Sequence, residues 1–173
     1  MKWIPLESTE GEFDVEIPDK MVSWAQRNNL QVRGLSLHSN WSSESLSKFS
    51  LSGHTLLWAK TKNNPTWTHS LYGEAFTSAV FRHLEQTLQH FDGLGVNKWD
   101  VINEMVDQGL DNHTFYLDHS GDPGIRVEIY KHVRETFPGT TLFVSDYGIV
   151  ADKYDRFGRT QIIFRHQIHI SES

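Results

Sequence analysis

The chain of 173 residues is long enough to bury one hydrophobic core, and its length is that of a single domain or part of one. Its hydrophobic and charged fractions, 38% and 22%, are typical of globular proteins and exclude collagen-like and low-complexity chains. The net charge of −6 argues against nucleic acid as a partner. The lack of a run of about 18 apolar residues argues against a membrane span. The absence of cysteine excludes thiolate catalysis, cysteine zinc sites and disulfides.

The N-terminal stretch predicts no signal peptide, because neither a basic region nor an apolar run of about ten residues follows Met1. We therefore expect either an intracellular protein or a start that lies further upstream. The first predicted helix runs from Asp19 to Asn28, although its apolar pattern is weak.

A serine-rich segment, Leu35 to Gly53, comes next and contains eight serines in nineteen residues. Its composition is that of a loop. It separates Val32-Arg33-Gly34 from His54 at a point where the pattern favours one continuous strand. The position of the segment, and not its composition, is what makes it unusual.

Short apolar runs then alternate with amphipathic stretches. The runs predict buried strands at His54–Trp58 and Lys98–Asn103 and a further strand at Thr140–Val144. Between the first two strands, a helical stripe ends at Asp92-Gly93 and consists of Phe76, Val80, Leu84, Leu88 and Phe91. Between the last two strands, a second stripe begins at Pro123, stops at Pro138-Gly139 and consists of Ile125, Ile129, Val133 and Phe137.

The strand centres Leu57, Val101 and Val144 are 44 and 43 residues apart. A loop and an amphipathic helix separate each pair, which is how parallel strands are connected. An open doubly wound sheet and a closed (β/α)8 barrel share this pattern. Because a complete barrel takes about 250 residues, the barrel interpretation requires this chain to be a part of one.

Polar residues lie on or close these strands, at the end where α/β proteins place their reacting groups. Asn103 and Glu104 follow the second strand, Asp146 follows the third, and His54 and Trp58 lie on the first. Taken singly, the carboxylates can be read as caps, the imidazole as a hydrogen-bonded core group and the indole as packing. Together around one rim, they are suited to binding and cleaving sugars.

Three motifs occur in order: GHTLLW at 53–58, WDVINE at 99–104 and LFVSDY at 142–147. Together they resemble the third, fourth and fifth strands of the family 10 glycoside hydrolases, which are mainly retaining endo-1,4-β-xylanases. Met1-Lys2-Trp3 resembles the end of the second strand, and Pro65-Thr66-Trp67 resembles the turn after the third. The resemblance covers residues 1–34 and 53–155. It implies an α/β fold, a partial (β/α)8 TIM barrel covering roughly strands two to five.

The resemblance implies a role for each rim residue. Glu104, which closes the WDVINE motif, would be the general acid/base, and Asn103 would donate to the 2-hydroxyl of the sugar at the cleavage subsite. Lys2 and His54 would hydrogen-bond that same sugar, and Trp58 would form the floor of its subsite. The implied partner is xylan or a related β-glycan, and neither a cofactor nor a metal is expected.

The chain also departs from the family pattern. The family nucleophile is a glutamate on the seventh strand, and no residue of this chain corresponds to it. Ala59 and Thr61 stand where His and Gln are usual after the strand-three Trp, and Ser145 stands where Asn is usual before Asp146. Asp146 itself is expected to support the site without reacting.

We interpret residues 1–173 as one partial catalytic domain with an atypical insert at 35–53 and a weakly matching tail at 156–173. The insert is hypothesised to be retained non-coding sequence or a gene-model error. If it is genuine, Leu51-Ser52-Gly53 replaces Val32-Arg33-Gly34 in the strand. In the tail, His166 and His169 are interpreted as a solvated helix face and not as a metal site, because no carboxylate lies near them.

The resemblance implies hydrolysis of internal β-1,4-xylosidic bonds with retention, by an extracellular protein. Because this chain would carry the acid/base and lack the nucleophile, we expect it to be inactive alone. The alternative is a non-catalytic carbohydrate-binding remnant or an inactive truncated gene product.

Overall fold

The computed structural model describes residues 2–28, 51–106 and 114–146. Within them the elements follow in the order α1 (Trp3–Leu6), α2 (Glu16–Arg27), β1 (Leu51–Trp58), α3 (Gly73–Asp92), β2 (Val96–Asn103), α4 (Phe115–Ser120), α5 (Ile125–Thr136) and β3 (Thr141–Ser145). Two 3-10 turns, Thr61–Asn63 and Thr66–Ser70, lie between β1 and α3. The three predicted strands and the two predicted amphipathic helices that connect them are confirmed.

The strands form a parallel sheet in the order β1-β2-β3. Helix α3 lies on the connection from β1 to β2, and α4 and α5 lie on the connection from β2 to β3. Parallel neighbours require such helical crossovers, because a tight turn cannot return the chain to the starting end of the sheet. All three carboxyl ends therefore meet at one edge of the sheet.

The central strand β2 is buried on both faces over residues 99–103. A strand covered on both sides must be almost continuously apolar, which explains the Val101-Ile102 centre of the motif. Helix α3 supplies part of this cover through its predicted stripe, all of it buried: Phe76, Val80, Leu84, Leu88 and Phe91. Asp100 is also buried on β2, so its carboxylate needs a partner within the protein.

Gly53 allows β1 and β2 to approach closely. A Cβ atom placed on Gly53 would lie 2.2 Å from the indole of Trp99, whose side chain is fully buried. No other residue type leaves that space for the ring, because every other side chain begins with a Cβ. This contact explains a glycine in the middle of an apolar strand.

Several boundaries differ from the prediction. The helix predicted from Asp19 begins at Glu16, and the helix predicted from Pro123 begins at Ile125. Helix α3 ends at Asp92 as predicted, but Gly93 keeps a right-handed φ of −59°, and Gly95 adopts the left-handed φ of 79°. The reversal after α3 therefore uses the second of the two glycines.

The N-terminal residues and the end of the serine-rich segment adopt defined conformations. Lys2 has extended backbone angles, as the end of a strand would, whereas Trp3 starts the short helix α1. Leu51, Ser52 and Gly53 are the first residues of β1. The predictions for Met1, for residues 29–50 and for the tail from Tyr147 onward, including His166 and His169, lie outside the described residues.

None of the helices in the described ranges is long and apolar enough to cross a bilayer.

Candidate active site

The candidate site lies where β1, β2 and β3 end. Trp58 on β1 stands opposite Asn103 on β2, and Asn103 stands opposite Ser145 on β3. The backbone N–H of Ala59 extends the ladder by donating to the carbonyl of Asn103 at 3.0 Å. This register places the residues after the three strands at the same level, around one rim.

Glu104 follows β2 directly and has an unusual backbone. Its φ is 56°, in the left-handed region, and its N–H donates to the carbonyl of Ser145 at 2.8 Å. A non-glycine residue held in such a conformation costs about 1–3 kcal/mol, and positions of this kind cluster at functional sites. The turn at Glu104 directs its side chain toward the end of β1.

The Glu104 carboxylate contacts two donors from the β1 side. The indole N–H of Trp58 donates to Oε2 at 3.0 Å, and Nζ of Lys60 lies 3.0 Å from the same oxygen. The side chains of Lys60 and Glu104 are 16% and 17% exposed, so solvent screens this ion pair only partly. The predicted neighbours Trp58 and Glu104 are thus in direct contact.

His54 points to the same rim and is held by an acidic partner. Its Nδ1 lies 2.8 Å from Oδ2 of Asp100, and its ring meets Trp58 edge-on with centroids 6.0 Å apart. The peptide bond from His54 to Thr55 is cis. The pair satisfies the buried Asp100 carboxylate and fixes the orientation of the imidazole.

Lys2 reaches the rim from the N-terminal segment. Its Nζ lies 4.4 Å from the ring centroid of Trp58, within the range of a cation–π interaction. The segment is anchored by the fully buried Glu7, whose carboxylate accepts the indole N–H of Trp3 at 2.9 Å and the backbone N–H of Gly11 at 3.0 Å. The position of Lys2 therefore depends on a buried carboxylate several residues away.

Asp146 follows β3 and contacts the chain that follows Glu104. Its Oδ2 accepts the backbone N–H of Val106 at 3.0 Å. On α5, burial lowers the pKa of Arg126, and the charge of Asp146 opposes that shift. Asp146 thus holds the segment that follows Glu104.

Of the predicted site residues, Lys2, His54, Trp58 and Glu104 form one connected group, and Asn103, which is buried, lies in the register position beside Trp58. In the described ranges, no group of three or more His, Asp or Glu side chains is arranged to hold a metal ion. A carboxylate can transfer protons, an indole can stack on a sugar ring, and an imidazole can hydrogen-bond its hydroxyls.

Two residues of the site were not predicted from the sequence. Asp100 lies within the WDVINE motif, and an acidic residue inside a buried strand indicates a specific partner within the protein. Lys60 stands between Ala59 and Thr61, the two positions that depart from the family pattern after Trp58. The signal that indicates Lys60 is its position: a cation just after one strand can pair with a carboxylate just after the neighbouring parallel strand.

Consecutive parallel βα units with polar groups at the carboxyl ends of the strands are the architecture of part of a (β/α)8 barrel. The chain belongs to glycosyl hydrolase family 10, because the model of that family matches residues 39–166.

The relatives and solved structures are in accord with this assignment. The chain is 26% identical over 159 residues to endo-β-1,4-xylanase Xyn10C of Cellvibrio japonicus, covering 86% of this chain and 23% of that protein. It is 28% identical over 169 residues to endo-1,4-β-xylanase C of Paenibacillus barcinonensis, covering 86% of this chain and 14% of that protein. The chain therefore spans less than a quarter of the length of these relatives.

Among solved structures, an intracellular xylanase of Thermoanaerobacterium saccharolyticum, a glutamate-to-alanine variant in complex with xylotriose, superposes with a TM-score of 0.76 at 22% identity. The match covers 96% of this chain and 49% of that one. At this identity, the similarity establishes the fold: this chain is a partial (β/α)8 barrel.

Proposed function

We propose that this chain carries the acid/base side of a retaining endo-1,4-β-xylanase site, with Glu104 as the acid/base. The observation that supports this most directly is the contact between Trp58 and Glu104 at 3.0 Å, made at the common edge where parallel strands end. The left-handed backbone of Glu104, with its φ of 56°, adds to it, because strain of this kind is tolerated where a side chain must be aimed.

In the proposed reaction, the bond between the anomeric carbon and the leaving oxygen breaks, and the leaving oxygen keeps the electron pair and takes a proton from Glu104. A carboxylate nucleophile bonds to the anomeric carbon in the same step. In the second step, Glu104 removes a proton from water, water attacks the anomeric carbon, and the bond to the nucleophile breaks. Glu104 thereby regains its proton.

The other rim residues are assigned to the sugar. Asn103 would donate to the 2-hydroxyl, a contact that strengthens as positive charge develops on the ring. Lys2 and His54 would hydrogen-bond hydroxyls of the same sugar, and Trp58 would lie under it. The edge contact of His54 with Trp58 and the position of Lys2 over that indole support a shared subsite. Asp146 would support the site without reacting.

Retention needs a second carboxyl group about 5–5.5 Å from the first. In the family this nucleophile is on the seventh strand, to which no residue of this chain corresponds, so we assign the nucleophile to none of them. We therefore expect the 173-residue chain to bind xylotriose without releasing reducing ends from xylan. The relative crystallised with xylotriose makes this trisaccharide the appropriate probe.

The experiment combines binding and turnover. Isothermal titration with xylotriose is expected to show binding that Trp58→Ala removes, and a reducing-end assay on xylan is expected to show none above background. Glu128→Gln, a surface change on α5, is the matched control for Glu104→Gln. Turnover that Glu104→Gln abolishes and Glu128→Gln leaves intact would show that the chain supplies its own nucleophile. Failure to bind any xylo-oligosaccharide would contradict the proposed subsite.

A second candidate, a carbohydrate-binding remnant without catalysis, is supported by the same contacts of Lys2, His54 and Trp58, since sugar binding does not need a nucleophile. The two candidates are distinguished by comparing substrates with poor and good leaving groups in a catalytically complete form. Glu104→Ala should slow the hydrolysis of unactivated xylan by orders of magnitude. It should slow the first step on activated aryl xylosides much less, because their leaving groups need little protonation.

Extracellular action on xylan is part of the proposal, as the family resemblance implies, although one similar solved structure is an intracellular xylanase. Detection of the protein in culture medium with an antibody against the chain would test it. A signal confined to the cell pellet would contradict extracellular action.

A further inference from the structure

We infer that Tyr72 and His119, whose rings are stacked at the surface, form a second sugar-binding site on which a xylan chain rests outside the rim. We call this pair the Tyr72–His119 platform. The platform rests on the proposed function, because xylan is the substrate proposed there. It adds a contact for the polymer at residues that lie outside the candidate active site.

The ring of Tyr72 is exposed on one face and supported on the other. Tyr72 directly precedes α3 and is 63% exposed. Its ring lies on the imidazole of His119, with centroids 4.7 Å apart and planes inclined by 12°. One face of the phenol ring is therefore covered by the imidazole, and the opposite face is open to solvent. A flat apolar surface is thus presented to a ligand.

The imidazole that supports this ring is itself fixed. Its Nδ1 donates to the backbone carbonyl of Leu71 at 2.9 Å. The ring also packs against Phe76 and Phe115, with centroids 5.2 Å and 4.3 Å away, and both of these side chains are fully buried. A surface that is already ordered loses little conformational entropy when a ligand binds, which favours binding.

The platform lies on the same edge of the sheet as the rim. Helix α3 begins after the loop that leaves the carboxyl end of β1, and α4, which carries His119, lies on the connection that leaves the carboxyl end of β2. The hydroxyl of Tyr116 on α4 donates to Oδ1 of Asn64 at 2.6 Å. The Asn64 amide donates in turn to the carbonyls of Trp58 at 2.9 Å and Lys60 at 2.8 Å. This Asn64 network ties α4 to the rim, so a polymer bound there extends over the same edge.

The chemistry of the surface selects an uncharged sugar chain. The hydroxyls of β-linked xylose are equatorial and its C–H bonds are axial, so both faces of the sugar ring are apolar and stack on an aromatic ring. Glu74, in the first turn of α3, is exposed close to Tyr72 along the chain and can accept hydrogen bonds from hydroxyls. This carboxylate and the net charge of −6 disfavour an anionic polymer such as nucleic acid.

The test is affinity electrophoresis of the 173-residue chain in native gels that contain soluble xylan. Tyr72→Ala should reduce the retardation by xylan several-fold, because the ring that stacks on the sugar is lost. Tyr72→Phe should keep the wild-type retardation, because the ring remains. Trp24→Ala is the matched control, since Trp24 is an exposed aromatic residue on α2, and this variant should migrate like the wild type. His119→Ala should weaken the retardation less than Tyr72→Ala, because only the support of the ring is removed.

Trp58→Ala separates the platform from the rim. In this background, xylan should still retard the chain, and the addition of Tyr72→Ala should remove the remaining retardation. Titration with xylotriose reports on the rim, so Tyr72→Ala should weaken the binding of xylotriose far less than it weakens retardation by xylan.

Equal migration of the wild type and Tyr72→Ala in xylan gels would overturn the inference. An equal effect of Trp24→Ala would overturn it too, because it would indicate unspecific adhesion of exposed rings. Retardation by dextran as strong as that by xylan would overturn the assigned ligand class. If Tyr72→Ala fails to fold, Tyr72→Leu replaces it, since leucine keeps apolar bulk without the ring.

The two sugar sites fail in different ways. Binding of xylotriose without a contribution of Tyr72 to retardation would support the proposed function and overturn the platform. Retardation that depends on Tyr72 without binding of xylotriose would support the platform and contradict the proposed rim subsite.

In a catalytically complete form, the rates provide a second test. Tyr72→Ala should lower kcat/KM several-fold on xylan and much less on an aryl β-xyloside, which occupies the rim alone. An equal loss on both substrates would indicate a structural role of Tyr72 and would overturn the platform.

Discussion

His54 Nδ1 and Asp100 Oδ2 lie 2.8 Å apart, joining the strand that carries the imidazole to the buried centre of the neighbouring strand. Because Nδ1 is engaged by the carboxylate, the ring is held in one orientation, and any contact of His54 with a sugar hydroxyl is left to Nε2. The pair makes Asp100 part of the candidate site although it is 3% exposed.

The first prediction concerns this pair. Asp100→Ala should weaken the binding of xylotriose about tenfold, because the loss of the hydrogen bond frees the imidazole, and ordering a free side chain on binding costs up to about 1.5 kcal/mol. Titration calorimetry measures the dissociation constant. In a His54→Ala background, Asp100→Ala should have no further effect, since nothing remains to be oriented. Asp118→Ala, at an exposed position on α4, is the control. Additive losses from the two changes would show that Asp100 acts independently of His54.

The second prediction concerns the close approach of Gly53 to Trp99. Gly53→Ala should lower the free energy of unfolding by about 1–3 kcal/mol, the usual cost of overpacking, because the new Cβ would lie 2.2 Å from a buried indole. Gly139→Ala should be neutral or slightly stabilising, since no atom lies within 4 Å of a Cβ there. Urea denaturation of both variants makes the comparison. Equal stabilities of the two variants would mean that there is room for a Cβ atom between Gly53 and the indole of Trp99.

The third prediction concerns His83, a fully buried side chain on α3. Burial lowers the pKa of His83 from its ordinary value of 6.5 to about 3, although a carboxylate oxygen of Glu7 lies 3.7 Å from Nδ1. The hydrogen bond of the ring to the carbonyl of Leu56 opposes this shift, but burial outweighs it and the charge of Arg82 adds to the lowering. Between about pH 6.5 and pH 3, the folded protein therefore keeps His83 neutral, whereas the unfolded chain takes up a proton there.

Stability from His83 is complete above about pH 6.5 and is lost as the pH falls toward about pH 3. Relative to His83→Gln, the free energy of unfolding of the wild type should fall by about 1.4 kcal/mol per pH unit between these limits. Denaturation curves at several pH values measure the difference. Parallel pH dependences for the wild type and the variant would show that His83 is already charged in the folded state.

The fourth prediction concerns Glu7. Glu7→Ala should cost about 2–4 kcal/mol, because it leaves the buried indole N–H of Trp3 and the N–H of Gly11 without their acceptor. Glu10→Ala is the matched control, since Glu10 is 55% exposed and pairs with the same Arg82 at 3.6 Å. Its effect should stay within about 0.5 kcal/mol. Thermal unfolding compares the two, and similar losses would show that Glu7 contributes only a surface ion pair.

Much of the architecture could be predicted from local patterns. The α3 stripe from Phe76 to Phe91 follows from its hydrophobic period, and the strand at Lys98–Asn103 follows from its short apolar run, since each pattern has one favourable way to be buried. Helix starts were less predictable: Glu16 and not Asp19 begins α2, because neighbouring acidic residues suit the first turn equally well. The choice between Gly93 and Gly95 as the left-handed residue depended on how the chain enters β2.

The site, like the fold, could be predicted from the sequence only in part. Glu104, Asn103, Trp58 and His54 were identifiable because a motif places them at strand ends, and parallel strands bring those ends to one edge. The partners Asp100 and Lys60 depend on register between strands, on the left-handed turn at Glu104 and on the Asn64 network, which link residues far apart in the chain. The amino-acid sequence by itself determined the alternation of strands and helices and the kinds of side chain that stand at the strand ends. Only the tertiary structure decided which charge meets which, because distances of about 3 Å between groups on different strands follow from packing and not from local pattern.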